Sequence, residues 1–239
     1  MRILILVIYS RNEAYDKMLE IQRRYIHKYE NVDVYFIVSN FEHNEPVFIE
    51  GNMSCVRSKE DNQYILYKNL ETMDTLHNLY KKEYDFIIRT NVSTIIDIPK
   101  LKNLLTSYQN IEYLYAGHIA SISEQNIRFA LGTCIIISKK LGIKMIQEKH
   151  LFDHSLPDDV AFGVYVRDHC PEAFNNDLKL GPFVYYISDL PSGWNATLEE
   201  FIHFVKNNNT SKYIYYRNKT HNRMEDVKIM DYICTHLIK

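Results

Sequence analysis

The sequence predicts an α/β protein built on a central, mostly parallel mixed sheet flanked by helices, and three observations carry that prediction. Residues 3–8 (Ile-Leu-Ile-Leu-Val-Ile) form a continuous apolar run that stops before Ser10 and Asn12, the pattern of a strand buried on both faces. Segment 13–29 then places Met18, Ile21, Tyr25 and Tyr29 on one helical face, with Ser10 or Asn12 available as a cap. Residues 32–38 read as a second strand, so strand, helix and strand follow through short connections, the opening of a doubly wound sheet. Ligands of such sheets sit beyond the carboxyl ends of the strands, which makes residues 9–11 a position for a nucleotide.

Farther on, Leu66, Leu70, Met73 and Tyr80 recur at helical spacing within 61–82, and 86–88 is a short apolar strand. Pro99 suits the first position of a helix over 100–108. Strands are predicted at 113–116 and 134–137, and helices at 139–148 and 158–167, the latter opened by Pro157. After Pro171 the periodicity loosens, leaving strands near 183–187 and 213–216 and a loop over 189–197 that holds Pro191, Gly193 and Trp194.

At 239 residues the chain is long enough for one large α/β domain spanning 1–239, with 1–110 as a nucleotide-binding half and 111–239 as an acceptor-binding and catalytic half. A net charge of -2 argues against a general grip on nucleic acid or acidic membrane, so any anion site must be local. Cys55, Cys134, Cys170 and Cys234 have neither metal-ligand spacing nor the density of a disulfide scaffold and read as reduced thiols. The amino-terminal apolar run is too short for a signal peptide or membrane span, so the expectation is a cytoplasmic chain with chance Asn-x-Ser/Thr sites at Asn52, Asn91, Asn195 and Asn218. There is no Gly-x-Gly-x-x-Gly, no P-loop and no Gly-x-Ser-x-Gly elbow. His150, Asp153 and His154 have a spacing that resembles a metal site but is discounted as one.

Three motifs in order remain. Strand 86–88 leads into Arg89-Thr90-Asn91-Val92-Ser93, followed by Ile98-Pro99-Lys100-Leu101; then come Phe129-Ala130-Leu131-Gly132 with Ile137 to Leu141, and Leu156-Pro157-Asp158-Asp159-Val160-Ala161-Phe162-Gly163. Together they resemble the fringe-like and beta-1,3-galactosyl- and N-acetylglucosaminyl-transferase family, inverting enzymes of the GT-A fold that use a UDP-sugar. The resemblance covers roughly residues 60–170 and departs from the family at one place. Where the family strand ends in Asp-x-Asp, whose carboxylates bind a divalent cation bridging the donor diphosphate, this chain has Asn91 and Ser93.

The resemblance, together with the placing of polar residues at strand ends and in loops, gives the following roles. Asp159 is the base that removes a proton from the attacking acceptor hydroxyl, held at a helix amino terminus; read without the family, Asp158 and Asp159 are simple helix caps. Asp158 positions Asp159 or contacts acceptor, and Trp194 stacks on an acceptor sugar or packs in the core. Donor contacts fall to Ser10, Arg11, Lys68, Arg89, Thr90, Asn91 and Ser93. With neutral oxygens in the turn, Mn²⁺ or Mg²⁺ binding is weakened, and Asn91, Ser93 and His221 are the ligands if a metal binds at all. Compensating charge is sought in Arg217, Lys219, His221 and Arg223, with Arg217 and Arg223 first because a guanidinium pairs bidentately with phosphate.

The expectation is thus an inverting transferase moving a hexose or N-acetylhexosamine from a nucleotide sugar to a glycan hydroxyl, in a bacterium or a large DNA virus, where the location is the host cytoplasm. The rivals are a catalytically inactive nucleotide-sugar or glycan-binding module and a retaining transferase on the same fold. The sequence sets no oligomeric state.

Overall fold

The computed structural model describes residues 1–26, 28–175, 178 and 180–238. In chain order its strands are β1 (Ile3–Ile8), β2 (Val32–Ser39), β3 (Val47–Glu50), β4 (Met53–Val56), β5 (Phe86–Asn91), β6 (Thr94–Ile96), β7 (Tyr115–Ile122), β8 (Ile127–Ser138), β9 (Val184–Tyr186) and β10 (Tyr215–Arg217). The α-helices are α1 (Glu13–Ile26), α2 (Ile65–Asp74), α3 (Ile98–Thr106), α4 (Lys139–Gln147), α5 (Asp158–His169), α6 (Leu198–Asn207) and α7 (Arg223–His236). The chain groups into two compact units, each made of three segments: Met1–Ser10, Asn31–Asn91 and Ser107–Leu180 in one, Arg11–Glu30, Val92–Thr106 and Gly181–Lys239 in the other.

The first unit holds a seven-stranded mixed sheet in the order β3-β4-β2-β1-β5-β8-β7. Its centre, β4-β2-β1-β5, is parallel, with Ile3 opposite both Val32 and Phe86, whereas β3, β8 and β7 join antiparallel. All six residues of β1 are buried, which explains its unbroken apolar run. On one face Leu4, Leu6, Tyr35, Ile37, Ile135 and Ile137 pack with Leu66, Leu70, Leu141, Met145, Phe162 and Tyr165 of the helices into a single core. Helix α2 lies against β2 and β4, α4 against β5 and β8, and α5 against β8. The approach of α5 requires Gly163, because a Cβ there would come within 2.4 Å of the Arg128 carbonyl oxygen and 2.5 Å of the Phe129 Cβ. The loop entering α5 is fixed by Phe152, which stacks on Tyr165 at 4.3 Å and meets Phe162 edge-on at 5.6 Å.

The second unit has a three-stranded sheet in the order β6-β10-β9, with α1 packed on α7 and α6 on α7. Gln22 of α1 donates from Nε2 to the carbonyls of Val92 (2.5 Å) and Thr94 (3.0 Å), so a buried amide holds the chain entering β6.

Several sequence expectations are corrected. The strand expected at 113–116 is the start of β7, and the one at 134–137 belongs to the inner half of the twelve-residue β8, whose outer half is only partly buried and so lacks a continuous apolar run. The helical segment 61–82 divides into a turn at Asn62–Tyr64, α2 and a wider π turn at Thr75–Leu79. Asn12 rather than Ser10 caps α1, accepting from the Tyr15 amide at 2.9 Å. The loosened region after Pro171 contains α6 and α7, capped by Thr197 and Asn222. Arg223 is therefore the first residue of a helix. Among the described residues no helix is long and apolar enough to cross a membrane.

Candidate active site

At the carboxyl end of β5, Arg89, Thr90 and Asn91 turn their polar groups toward β8. The Thr90 hydroxyl donates to the Thr133 carbonyl (2.7 Å), and the Asn91 amide donates to the Gly132 carbonyl (2.6 Å). Arg89 donates to that same carbonyl and to the Asn91 Oδ1 (3.3 Å). Because a carbonyl only accepts and a guanidinium only donates, the orientation of the Asn91 amide is fixed.

Gly132 also reaches the other half of the arrangement, since its N–H donates to Oδ2 of Asp159 at 3.2 Å. Asp159 lies in the first turn of α5, half-buried, and its Oδ1 accepts from the Val160 amide (3.0 Å), where the helix dipole favours a negative group. Beside it Asp158 is buried and forms an ion pair with Arg89 at 2.8 Å, with Asn69 Nδ2 a longer 3.4 Å away. Burial pushes the Asp158 carboxyl above its ordinary value, against the pull of Arg89, and the neighbouring Asp159 adds to the rise. Arg89, at 3% exposure, is thus a structural cation committed to Asp158, Gly132 and Asn91.

Ser10 and Lys68 meet in a second cluster at the ends of β1 and β2. Ser10 Oγ donates to Glu60 Oε1 at 2.7 Å, and Lys68 Nζ donates to the same oxygen at 3.3 Å and to Ser39 Oγ at 3.2 Å. The Ser39 amide donates to the other Glu60 oxygen at 3.2 Å. Lys68 is 1% exposed, so this lysine is buried, with its ammonium on the Glu60 carboxylate and the Ser39 hydroxyl, rather than lying on the surface.

In the second unit, Arg217 of β10 donates to the hydroxyls of Ser93 and, at 3.5 Å, Thr94. Trp194, 47% exposed, stands 5.9 Å from the His221 ring, and Lys219 Nζ is 6.0 Å from the indole centroid. Arg223 is taken up elsewhere: it pairs with the fully buried Asp226, donates to the Asn218 carbonyl (3.2 Å) and lies over Tyr15. Arg11 is exposed.

These donors do not fit a divalent cation. Asn91 offers an amide oxygen already facing Arg89, and Ser93 a hydroxyl that accepts from Arg217. Among the described residues no group of three or more His, Cys, Asp or Glu side chains could hold a metal, His150, His154 and His221 included.

Three contributors escape the sequence reading as functional residues: Gly132, Asn69 and Glu60. Gly132 carries a signal, its place in the Phe129 to Gly132 motif, and its lack of a Cβ admits Arg89, whose Nη1 would lie 2.5 Å from one. Glu60 and Asn69 carry none, because nothing local marks a polar residue that acts across the fold.

No family model matches the chain, and no curated protein does either. Its structure is similar to that of a glycosyltransferase involved in the glycosylation of the major capsid of PBCV-1, with a TM-score of 0.52 and 13% identity over 97% of this chain and 99% of that one. Two further glycosyltransferases superpose less closely. They are GlyE of Streptococcus pneumoniae TIGR4 (TM-score 0.47, 13% identity, 96% of this chain, 60% of that one) and the mannosyltransferase PcManGT of Pyrobaculum calidifontis (0.39, 10%, 67% and 50%). At such identities the first likeness is one of fold, and the chain has the mixed α/β architecture, a mostly parallel central sheet flanked by helices, that its sequence predicts.

Proposed function

We propose that the chain is an inverting glycosyltransferase that moves a sugar from a nucleotide sugar, a UDP-sugar first, to a glycan hydroxyl, with Asp159 as general base. The observation that carries the reading is the double use of Gly132: its carbonyl holds Asn91 at the end of a parallel-sheet strand, and its N–H holds Asp159. A ligand-binding turn and a half-buried carboxylate are thereby held through one residue, at the strand ends where α/β sheets bind ligands. In the reaction Asp159 takes the acceptor hydroxyl proton, the freed oxygen forms a bond to the anomeric carbon, and the bond from that carbon to the diphosphate oxygen breaks with its electron pair on the leaving nucleoside diphosphate. Attack opposite the leaving group inverts the anomeric centre.

Asp158, held by Arg89, is a positioning residue for Asp159. Thr90 and Asn91 orient donor, and Ser10 and Lys68 act through Glu60 on the nucleotide side.

The test is nucleoside diphosphate release with a panel of nucleotide sugars and glycan acceptors. Asp159→Asn is expected to lower turnover about 10²–10⁴-fold, the usual share of a general base, while donor binding persists. Chelator is expected to leave the wild-type rate unchanged. Full turnover in Asp159→Asn, or a product with retained anomeric configuration, overturns the assignment.

A further inference from the structure

A depression of about 300 Å³ in the first unit is lined by Gln63, Tyr64, Tyr67 and His154 and belongs to none of the groups described above. Its volume is at the lower end of the range for small-molecule pockets, about 300–1,000 Å³. Three of its walls come from one stretch of chain: Tyr64 and Tyr67 are three residues apart, Gln63 and Tyr67 four, so they share a face at the start of α2. The fourth, His154, lies in the loop between Phe152 and α5. Both tyrosines are half-buried, and Gln63 and His154 are exposed.

We infer that this pocket binds a pyranose ring of the acceptor glycan. The lining offers flat aromatic faces to carbohydrate C–H groups and hydroxyl, amide and imidazole edges to its hydroxyls. Its four lining residues carry no fixed charge, which favours a neutral ligand over a diphosphate. Its walls also lie close in sequence to residues that meet Asp158, the neighbour of the proposed base. Tyr67 is two residues before Asn69, which donates to Asp158 (3.4 Å), and His154 is four residues before Asp158 on the loop that Phe152 anchors. The inference deepens the transferase reading and rests on it for the word acceptor.

The test is saturation-transfer NMR on the whole chain with the methyl β-pyranosides of glucose, galactose, xylose and N-acetylglucosamine, and with uridine as a competing aromatic ligand. At least one glycoside is expected to receive saturation on its ring C–H protons, with binding weakened about tenfold in Tyr67→Ala, the contribution of one stacked ring. His154→Ala, a change in an exposed loop, is expected to weaken it as well. Tyr67→Ala should raise the acceptor KM while the slow acceptor-free hydrolysis of nucleotide sugar is unchanged. Saturation of no glycoside, binding unaltered in both variants, or displacement of glycoside by uridine overturns the inference even if nucleotide sugar is turned over. Glycoside binding lost in Tyr67→Ala, with no turnover of any nucleotide sugar, upholds the pocket and overturns the transferase reading instead.

Discussion

Replacing Arg89 by Met tests whether the ion pair beneath the site is what holds it together. The side chains of Arg89 and Asp158 are 4% and 8% exposed and 2.8 Å apart. At an effective dielectric of about 20 their attraction is about 6 kcal/mol, and most of it offsets the cost of taking two charges out of water. Removing one partner strips out the attraction and leaves the penalty, so Arg89→Met is expected to cost about 3–5 kcal/mol. Asn69 cannot make up the difference, because its amide stands 3.4 Å from Asp158 and makes a weak bond at best. The double variant Arg89→Met with Asp158→Asn removes both charges and is expected to regain most of the loss.

The pH dependence sharpens this test. Burial already raises Asp158, and Arg89 is the group that opposes the rise, so in Arg89→Met the folded-state pKa climbs further above the unfolded value. A carboxyl that binds its proton more tightly when folded contributes stability below the unfolded value, about 4, and loses it as pH rises through the folded value. Urea unfolding should therefore show a smaller deficit at about pH 4 than at about pH 8. A deficit under about 1 kcal/mol at both, or a larger one in acid, would refute the reasoning.

Two other predictions concern the first unit. Gly163→Ala forces a Cβ into the Arg128 carbonyl at 2.4 Å, a backbone atom that cannot step aside, and should cost about 1–3 kcal/mol by urea unfolding; an unchanged midpoint would show that α5 shifts freely on β8. For Asp33, burial alone would raise the carboxyl, but the Tyr84 hydroxyl (2.7 Å), Lys82 and Arg2 outweigh it and hold it below its ordinary value. Its stabilisation is present above the unfolded value of about 4 and lost as pH falls through the lower folded one, so the advantage of wild type over Asp33→Asn should vanish across that acid window. An advantage that persists below it would count against the assignment.

Much of the fold was legible because burial and periodicity coincide. All six residues of β1 are buried and apolar, α1 shows a clean stripe, and the segment from Leu156 to Gly163 puts Asp159 at a helix start. The failures have physical causes. Helix α7 buries Asp226, Ile229, Met230 and Ile233 in helical register, but its stripe begins with a carboxylate that pairs with Arg223, so the apolar pattern reads as broken. Lys68 looks like any helix lysine until Glu60, eight residues earlier, is seen to bond it together with Ser10 and Ser39. The junction at Gly132 works through a backbone carbonyl and a backbone N–H, groups every residue but proline possesses, so the motif that ends in Gly132 marks the residue without showing that these groups are in use.

That junction also bears on the expectation that Asn91 stands in for a metal-binding carboxylate. If Asn91 were only a decayed carboxylate, Asn91→Asp would repair it and turnover would gain a response to Mn²⁺. The structure gives Asn91 two tasks that a carboxylate cannot share: its Nδ2 donates to the Gly132 carbonyl at 2.6 Å while its Oδ1 faces Arg89. An aspartate has no hydrogen to donate, so one charged oxygen would meet the Gly132 carbonyl oxygen, and the lost bond should cost about 1–3 kcal/mol even with Arg89 nearby. Arg89 would then be divided between the introduced carboxylate and Asp158, and the Gly132 segment that holds Asp159 would be free to move. Asn91→Asp is therefore expected to be less stable by urea unfolding, to turn over more slowly, and to gain nothing from Mn²⁺ titrated into the assay. A variant as stable as wild type whose rate rises with Mn²⁺ would show that the amide is a remnant and that Gly132 is not held in the way argued.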